Sequence, residues 1–303
     1  MKFVTARIGE YETAGVVTVQ EQIIDLKQAQ FAMKNEVSIP ETVAGIIEEG
    51  VEVMVEIKKV VEWASHQKES KTNGIYSLSD KDVSLKAPIP QPPKNVLCIG
   101  KNYADHAAEM GAENLPSHPI VFTKAPTTII GPEEEIDPHK EVTSELDYEG
   151  EIGVVIGRRG RGISKEEAKD YIFGYTLIND ITARDLQQNH KQFFLGKSLD
   201  TSCPMGPYIV HKDSVSHPDK LELTTKVNGE VRQQGNTSQL IFDIPTLIHI
   251  LSKGMTLEPG DVIATGTPAG VGKGFTPPKF LQPGDEIEIT VKDIGTLINR
   301  IKK

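Results

Sequence analysis

The segment Leu146-Asp-Tyr-Glu-Gly-Glu-Ile-Gly-Val-Val-Ile156 places two acids two positions apart in a run that is otherwise apolar. Side chains alternate across a strand with period two, so Glu149 and Glu151 would point to one face while Gly150, Ile152, Val154 and Ile156 point to the other. Two carboxylates on a mostly apolar strand call for compensation, because an unpaired buried charge is costly. A third acid, Asp180, closes the apolar run that starts at Phe173, where a strand would hand over to a helix beginning at Thr182. Three carboxylates without His or Cys suit Mg²⁺, Mn²⁺ or Ca²⁺ rather than structural zinc. The residues also allow a plainer reading, with Glu149 and Glu151 on an exposed strand face and Asp180 as an N-cap.

The stretch Ile99–Gly111 reads as a short helix bounded by glycines, with His106 and Glu109 at i and i+3 on one face. A glutamate beside a histidine orients the ring and raises its basicity, as a general base needs near pH 7. The glycines and the polar exit Pro116-Ser-His-Pro119 suit a lid. A surface helix contact has the same spacing. Lys197, after the aromatic pair Phe193-Phe194, could hold its amine inside a pocket or snorkel at the surface. The run Gly266-Thr-Pro-Ala-Gly-Val-Gly-Lys-Gly274 fails as a phosphate loop, since Thr267 stands where the first glycine belongs and Gly274 where Ser/Thr should bind metal. A Gly/Thr loop after a strand can still present N–H groups to a carboxylate. Neither Gly-x-Ser-x-Gly nor His-Glu-x-x-His occurs.

The elements that must hold these residues divide the 303-residue chain at Ala87–Asn95, where four prolines in nine residues disfavour both helix and sheet. Before it, Val16–Asp25 reads as short strands and Glu41–His66 repeats apolar residues at helical spacing, giving a small α+β unit over residues 1–90. After it, residues 91–303 carry many short β-branched runs, among them Val96–Gly100, Glu149–Gly157, Gly174–Asp180, Leu221–Val227, Glu230–Gln234, Asp261–Thr265 and Glu286–Val291. Asn228-Gly229 predicts a type I′ hairpin, and Pro259-Gly260 and Pro283-Gly284 predict type II turns. Helices are expected at Lys165–Tyr171, Thr182–Phe194 and Ile244–Lys253. The fold class is α+β, a β-rich mixed sheet or barrel with peripheral helices.

The charge balance, 33 Lys+Arg against 43 Asp+Glu, gives −10, and no basic stripe marks a nucleic-acid partner. No apolar run approaches eighteen residues, so no membrane partner is expected. The N-terminal residues lack a signal-peptide pattern, and two cysteines cannot build a disulfide framework, so a reducing, cytoplasmic setting and inert thiols at Cys98 and Cys203 are expected.

Six blocks together resemble the fumarylacetoacetate hydrolase family, in the family's order over about residues 95–300. They begin at Cys98-Ile-Gly-Lys-Asn-Tyr-Ala-Asp-His, Asp147-Tyr-Glu-Gly-Glu, Asn179-Asp-Ile-Thr-Ala-Arg-Asp-Leu-Gln, Leu195-Gly-Lys-Ser, Val227-Asn-Gly-Glu-Val-Arg-Gln and Pro259-Gly-Asp-Val-Ile-Ala-Thr-Gly-Thr-Pro. The resemblance implies a mixed β-sandwich roll, usually a homodimer, with Mg²⁺ or Mn²⁺ held by Glu149, Glu151 and Asp180. It places the lid dyad on His106 and Glu109, the active-site lysine on Lys197, and substrate contacts on Arg184, Gln187 and Thr265. Asp185 would pair locally. A fourth, aspartate ligand found upstream in the larger branch has no counterpart, which points to the smaller acylpyruvase-like and decarboxylase-like branch.

The expected chemistry is metal-assisted hydrolysis of a C–C bond in a 2,4-dioxo acid, with His106 and Glu109 activating water and Lys197 steadying the oxyanion. Oxaloacetate decarboxylation and keto–enol tautomerisation or isomerisation pass through the same enolate and stand as alternatives. A non-catalytic, metal-dependent 2-oxo-acid binder is the alternative of another class.

Overall fold

The structure, a computed structural model, describes residues 1–34, 37–67 and 70–303. Its backbone is a β-rich α+β fold, as the sequence predicts. A 12-stranded mixed sheet runs, edge to edge, through Ile75–Ser77, Gln22–Asp25, Tyr11–Val17, Lys2–Ile8, Cys203–His211, Ile172–Asn179, Gly150–Ile156, Val262–Ala264, Val96–Gly100 and Ile120–Lys124. Two further strands, Val83–Lys86 and Ile129–Ile130, join it off this path. A 5-stranded sheet of Glu230–Asn236, Glu222–Val227, Glu286–Val291, Gly295–Ile301 and Glu135–Ile136 covers part of one face. Alternating apolar residues from both sheets, including Ile152, Val154 and Leu177 facing Leu223, Ile289 and Leu297, fill one core. Leu146–Asp147 and Thr182–Ala183 make a separate two-stranded ladder.

Residues 1–90 share the large sheet with the rest of the chain. Lys2 and Phe3 pair with Val210 and Ile209, and Phe3, Val16 and Ile57 enter one buried cluster with Val155, Phe173 and Ile209. Ala87 and Ile89 of the proline-rich segment are buried in that cluster too. The helical period over Glu41–His66 resolves into two helices, Val43–Glu49 and Val51–Ser65, joined at Gly50, whose φ of 70° stops the first.

The hairpin at Asn228-Gly229 has φ of 51° and 79°, as a type I′ turn demands. Two helix expectations shrink. At Lys165–Tyr171 only a 3₁₀ turn, Ala168–Tyr171, forms after Ser164. Thr182–Phe194 divides because Thr182–Ala183 pair with Leu146–Asp147 and Lys191 takes a φ of 57°, leaving helices Arg184–Asn189 and Phe194–Lys197. The expected helix in the Ile244–Lys253 segment spans Ile244–Ser252. Cys98 and Cys203 are buried, and burial pushes both thiols up, Cys203 to about 12. Among the described residues no helix is long and apolar enough to cross a membrane.

Candidate active site

Strand register brings the three acids together. Gly150 lies opposite Asn179 in the antiparallel pairing of Gly150–Ile156 with Ile172–Asn179. Glu149, just before one strand, and Asp180, just after the other, therefore meet at the same end. Asp180 N donates to Glu149 O at 2.8 Å, and Glu149 N donates to Asn179 Oδ1 at 3.1 Å. Carboxylate oxygens of Glu149, Glu151 and Asp180 lie within 4.8 Å of one another, and all three side chains are buried. The exposed-face reading of the glutamates is thereby removed. Asp180 does not cap the following helix either: Ala183 precedes Arg184–Asn189, without a side-chain capping bond.

Three buried cations answer these charges. Lys197 Nζ donates to Glu149 Oε2 at 2.7 Å and to Asp180 Oδ2 at 2.8 Å. Lys124 Nζ stands 2.8 Å from Asp180 Oδ1 and donates to Ile181 O at 2.9 Å. Arg184 Nη2 is 2.7 Å from Glu149 Oε1, while its Nε donates to Asp147 Oδ2 at 2.8 Å. Burial alone would raise Glu149, but Lys197 and Arg184 outweigh it and hold the carboxyl at about 2. Glu151 goes the other way. Burial, then Asp180 and Glu149, push its carboxyl well above the ordinary carboxylate range. Its hydrogen bond comes from Gly266 N at 2.8 Å, with no cationic side chain on it among the described residues.

The dyad faces the cluster from Ala104–Glu109. His106 Nδ1 is 3.1 Å from Glu109 Oε2, and Glu109 Oε1 accepts from Gly270 N at 2.9 Å. The Gly270 carbonyl in turn accepts from the Tyr148 hydroxyl at 2.8 Å. Gly270 has φ of 104°, and a Cβ there would meet Arg232 O at 1.9 Å, so only glycine lets the loop pass. His106, Glu109, Glu149, Glu151, Arg184 and Lys197 line one cavity of about 560 Å³. Lys197 lies 4.9 Å from the Phe122 ring centroid at its wall.

Of the substrate-contact candidates, Gln187 lines this cavity and accepts from Arg184 Nη1 at 3.3 Å. Thr265 is set back: it is fully buried, and its hydroxyl donates to Ile152 O at 2.9 Å. Thr267 reaches the cavity instead, because Gly266, at φ of 106°, turns the chain between them. Asp185 accepts from Thr143 Oγ1 and Ser144 N, a local pairing. Sequence reasoning missed Lys124 and Asp147. Lys124 ends an ordinary strand, and only tertiary pairing brings it to Asp180. Asp147 carried a signal in its place beside Glu149, and it fixes the site by accepting from Arg184 Nε, Gly272 N and Lys273 N.

The donor set fits a hard divalent cation: three buried carboxylates, oxygen throughout, one of them, Glu151, without a cationic partner among the described residues and crowded by the other two.

Fold and site together set three buried carboxylates and a hydrogen-bonded His–Glu pair around one cavity. The sequence profile of the fumarylacetoacetate (FAA) hydrolase C-terminal family matches residues 95–302, and the chain belongs to that family. It is 55% identical over 302 residues to the oxaloacetate tautomerase YisK of Bacillus subtilis (strain 168), covering 99% of this chain and 100% of that one. Among solved structures, the fumarylacetoacetate hydrolase of Exiguobacterium antarcticum is 40% identical with a TM-score of 0.82, covering 100% of this chain and 99% of that one. The maleylpyruvate hydrolase of Sphingobium sp. SYK-6, solved with manganese(II) and pyruvate, is 27% identical with a TM-score of 0.76, at the same coverage.

Proposed function

We propose that the protein is a divalent-metal-dependent keto–enol tautomerase of small 2-oxo acids, with oxaloacetate the first substrate to test. The observation that carries this is a positioned imidazole beside the carboxylate cluster: His106, held through Nδ1 by Glu109, in a cavity that also presents Glu149, Glu151 and Lys197. The full-length likeness to an oxaloacetate tautomerase supports it.

Glu149, Glu151 and Asp180 would hold the metal. When bound, Mg²⁺ or Mn²⁺ supplies Lewis acidity at the 2-oxo group, which makes the neighbouring C–H acidic. The rest falls to the chain. With Nδ1 engaged by Glu109, the Nε2 of His106 is the ring nitrogen left to take a proton from the substrate carbon and return it to the enol. Glu109 fixes the tautomer and steadies the imidazolium, and its second oxygen is already anchored on Gly270 N. Lys197 bridges Glu149 and Asp180, and Arg184 holds Glu149 and the Gln187 side chain in place at the cavity wall, where Gln187 would meet the acid. Tautomerisation needs no attacking water.

C–C hydrolysis of a 2,4-dioxo acid is the second reading. The observation favouring it is the same dyad, which could activate water, together with a manganese-bound maleylpyruvate hydrolase among the structural relatives. The experiment is to follow decay of the ultraviolet absorbance of enol-oxaloacetate on metal-stripped protein with Mg²⁺ or Mn²⁺ restored, while assaying CO₂ release and acetylpyruvate cleavage in parallel. Metal-dependent enol decay outpacing CO₂ release and cleavage supports the tautomerase. Faster acetylpyruvate cleavage overturns it in favour of the hydrolase.

A further inference from the structure

We propose that Lys101 and Lys273, aided by Lys191, recognise a second carboxylate, so that the cavity selects dicarboxylic over monocarboxylic 2-oxo acids. The inference deepens the functional reading above and rests on it for the 2-oxo-acid end of the ligand.

The cavity runs against the charge of the protein. The chain as a whole is −10, yet five of the side chains lining the cavity are cationic and three are carboxylates. Two of those cations, Arg184 and Lys197, are committed to buried carboxylates. Glu109 is committed to His106 and Gly270. Lys101, Lys191 and Lys273 remain, and none has an ion-pair partner among the described residues. A like-signed group of amines in one cleft raises the local concentration of a matching anion and its capture rate.

The backbone argues against three incidental surface lysines. Lys101 and Lys191 sit at φ of 53° and 57°, a conformation that glycine or asparagine adopts more easily than lysine. Lys101 is also fixed by its neighbour. Asn102 is fully buried, its amide donating to Phe242 O at 3.0 Å and Thr265 O at 2.8 Å and accepting from Phe242 N at 2.8 Å. Lys273 is fixed by its own N–H, which donates to Asp147 Oδ2 at 3.1 Å, beside the 2.6 Å bond from Gly272 N to Oδ1. Both lysines thus spring from anchored backbone on either side of the dyad, Lys101 just before Ala104–Glu109 and Lys273 on the loop that holds Glu109. An anchored backbone fixes where each lysine side chain begins, which lowers the ordering cost on binding.

The test uses two acids with the same five-carbon backbone, 2-oxoglutarate and 2-oxopentanoate, titrated calorimetrically into Mn²⁺-loaded protein. Wild type should bind the diacid at least tenfold more tightly. Lys101→Gln and Lys273→Gln should each reduce that ratio several-fold, and together abolish it, leaving the 2-oxopentanoate Kd within about twofold; Lys273→Arg should retain it. A wild type without preference, or variants that weaken both acids alike or neither, would overturn the assignment. The enol-decay assay on the same samples separates the two ideas: a protein that keeps its diacid preference but does not interconvert keto and enol forms refutes the tautomerase and leaves this recognition standing.

Discussion

Two aspartates close strands of one sheet, Asp25 at the end of Gln22–Asp25 and Asp180 just past Ile172–Asn179, and both are essentially without solvent exposure. Around Asp25 every partner is neutral. Its Oδ1 accepts from Gln28 N at 3.0 Å and Thr13 Oγ1 at 3.1 Å, and its Oδ2 from the Tyr11 hydroxyl at 3.2 Å, so it caps the helix Leu26–Ala32. Around Asp180 the partners are two lysines at 2.8 Å and two further carboxylates. Residue type, burial and place at a strand end are therefore shared. What separates an architectural aspartate from a candidate ligand is the charge of its neighbours, because only the second surroundings gain from an added cation.

That contrast breaks most visibly under the largest change. Asp180→Asn should abolish Mn²⁺ binding in a calorimetric titration and lower turnover by about a thousandfold or more, since Lewis acid and ligand geometry are lost together. Retained metal affinity would mean that the cluster is structural. His106→Ala should cost about a hundredfold or more in kcat while Mn²⁺ affinity stays within about twofold, because the dyad contributes proton transfer and no ligand. A drop in metal affinity would merge the two parts of the site. Tyr148→Phe should lower kcat by about tenfold with KM nearly unchanged, in line with groups that act by orienting another.

The smallest effect belongs to Asp25→Asn, which should leave turnover unchanged and shift stability by no more than about 1 kcal/mol, since an amide oxygen can accept the same capping bond. Its signature is the pH dependence. Burial outweighs the hydrogen bonds and raises the Asp25 carboxyl, so the folded state binds that proton more tightly than the unfolded chain. The resulting stabilisation is present below the ordinary aspartate range and lost as pH rises through the raised value. Thermal unfolding across mildly acidic pH should accordingly show the variant gaining on wild type as pH increases. Loss of turnover here would erase the distinction between the two strand ends.

How much of this was legible in the sequence depends on the range of each interaction. Glu149 and Glu151 are readable because period two is a local rule, and His106 with Glu109 because i, i+3 is another. The family blocks make Asp180, Lys197, Arg184 and Gln187 readable as a set. Lys124 had no such signal: it meets Asp180 only through sheet order and tertiary packing, beyond any local period. Thr265 was named where Thr267 lines the cavity, because one left-handed residue, Gly266, resets the alternation. Over Thr182–Phe194 helical spacing was visible, but the two-residue ladder with Leu146–Asp147 overrides it. That ladder sets Arg184 beside Asp147 and Glu149.

Gly270 makes both of its backbone hydrogen bonds to side chains at the candidate site, its N–H donating to Glu109 and its carbonyl accepting from Tyr148. Any opening that carries Glu109 away must release the first of these bonds. The exchange of this one amide proton with heavy water would therefore clock that separation, slow while Glu109 holds the loop and fast when it does not, without a substrate in the tube.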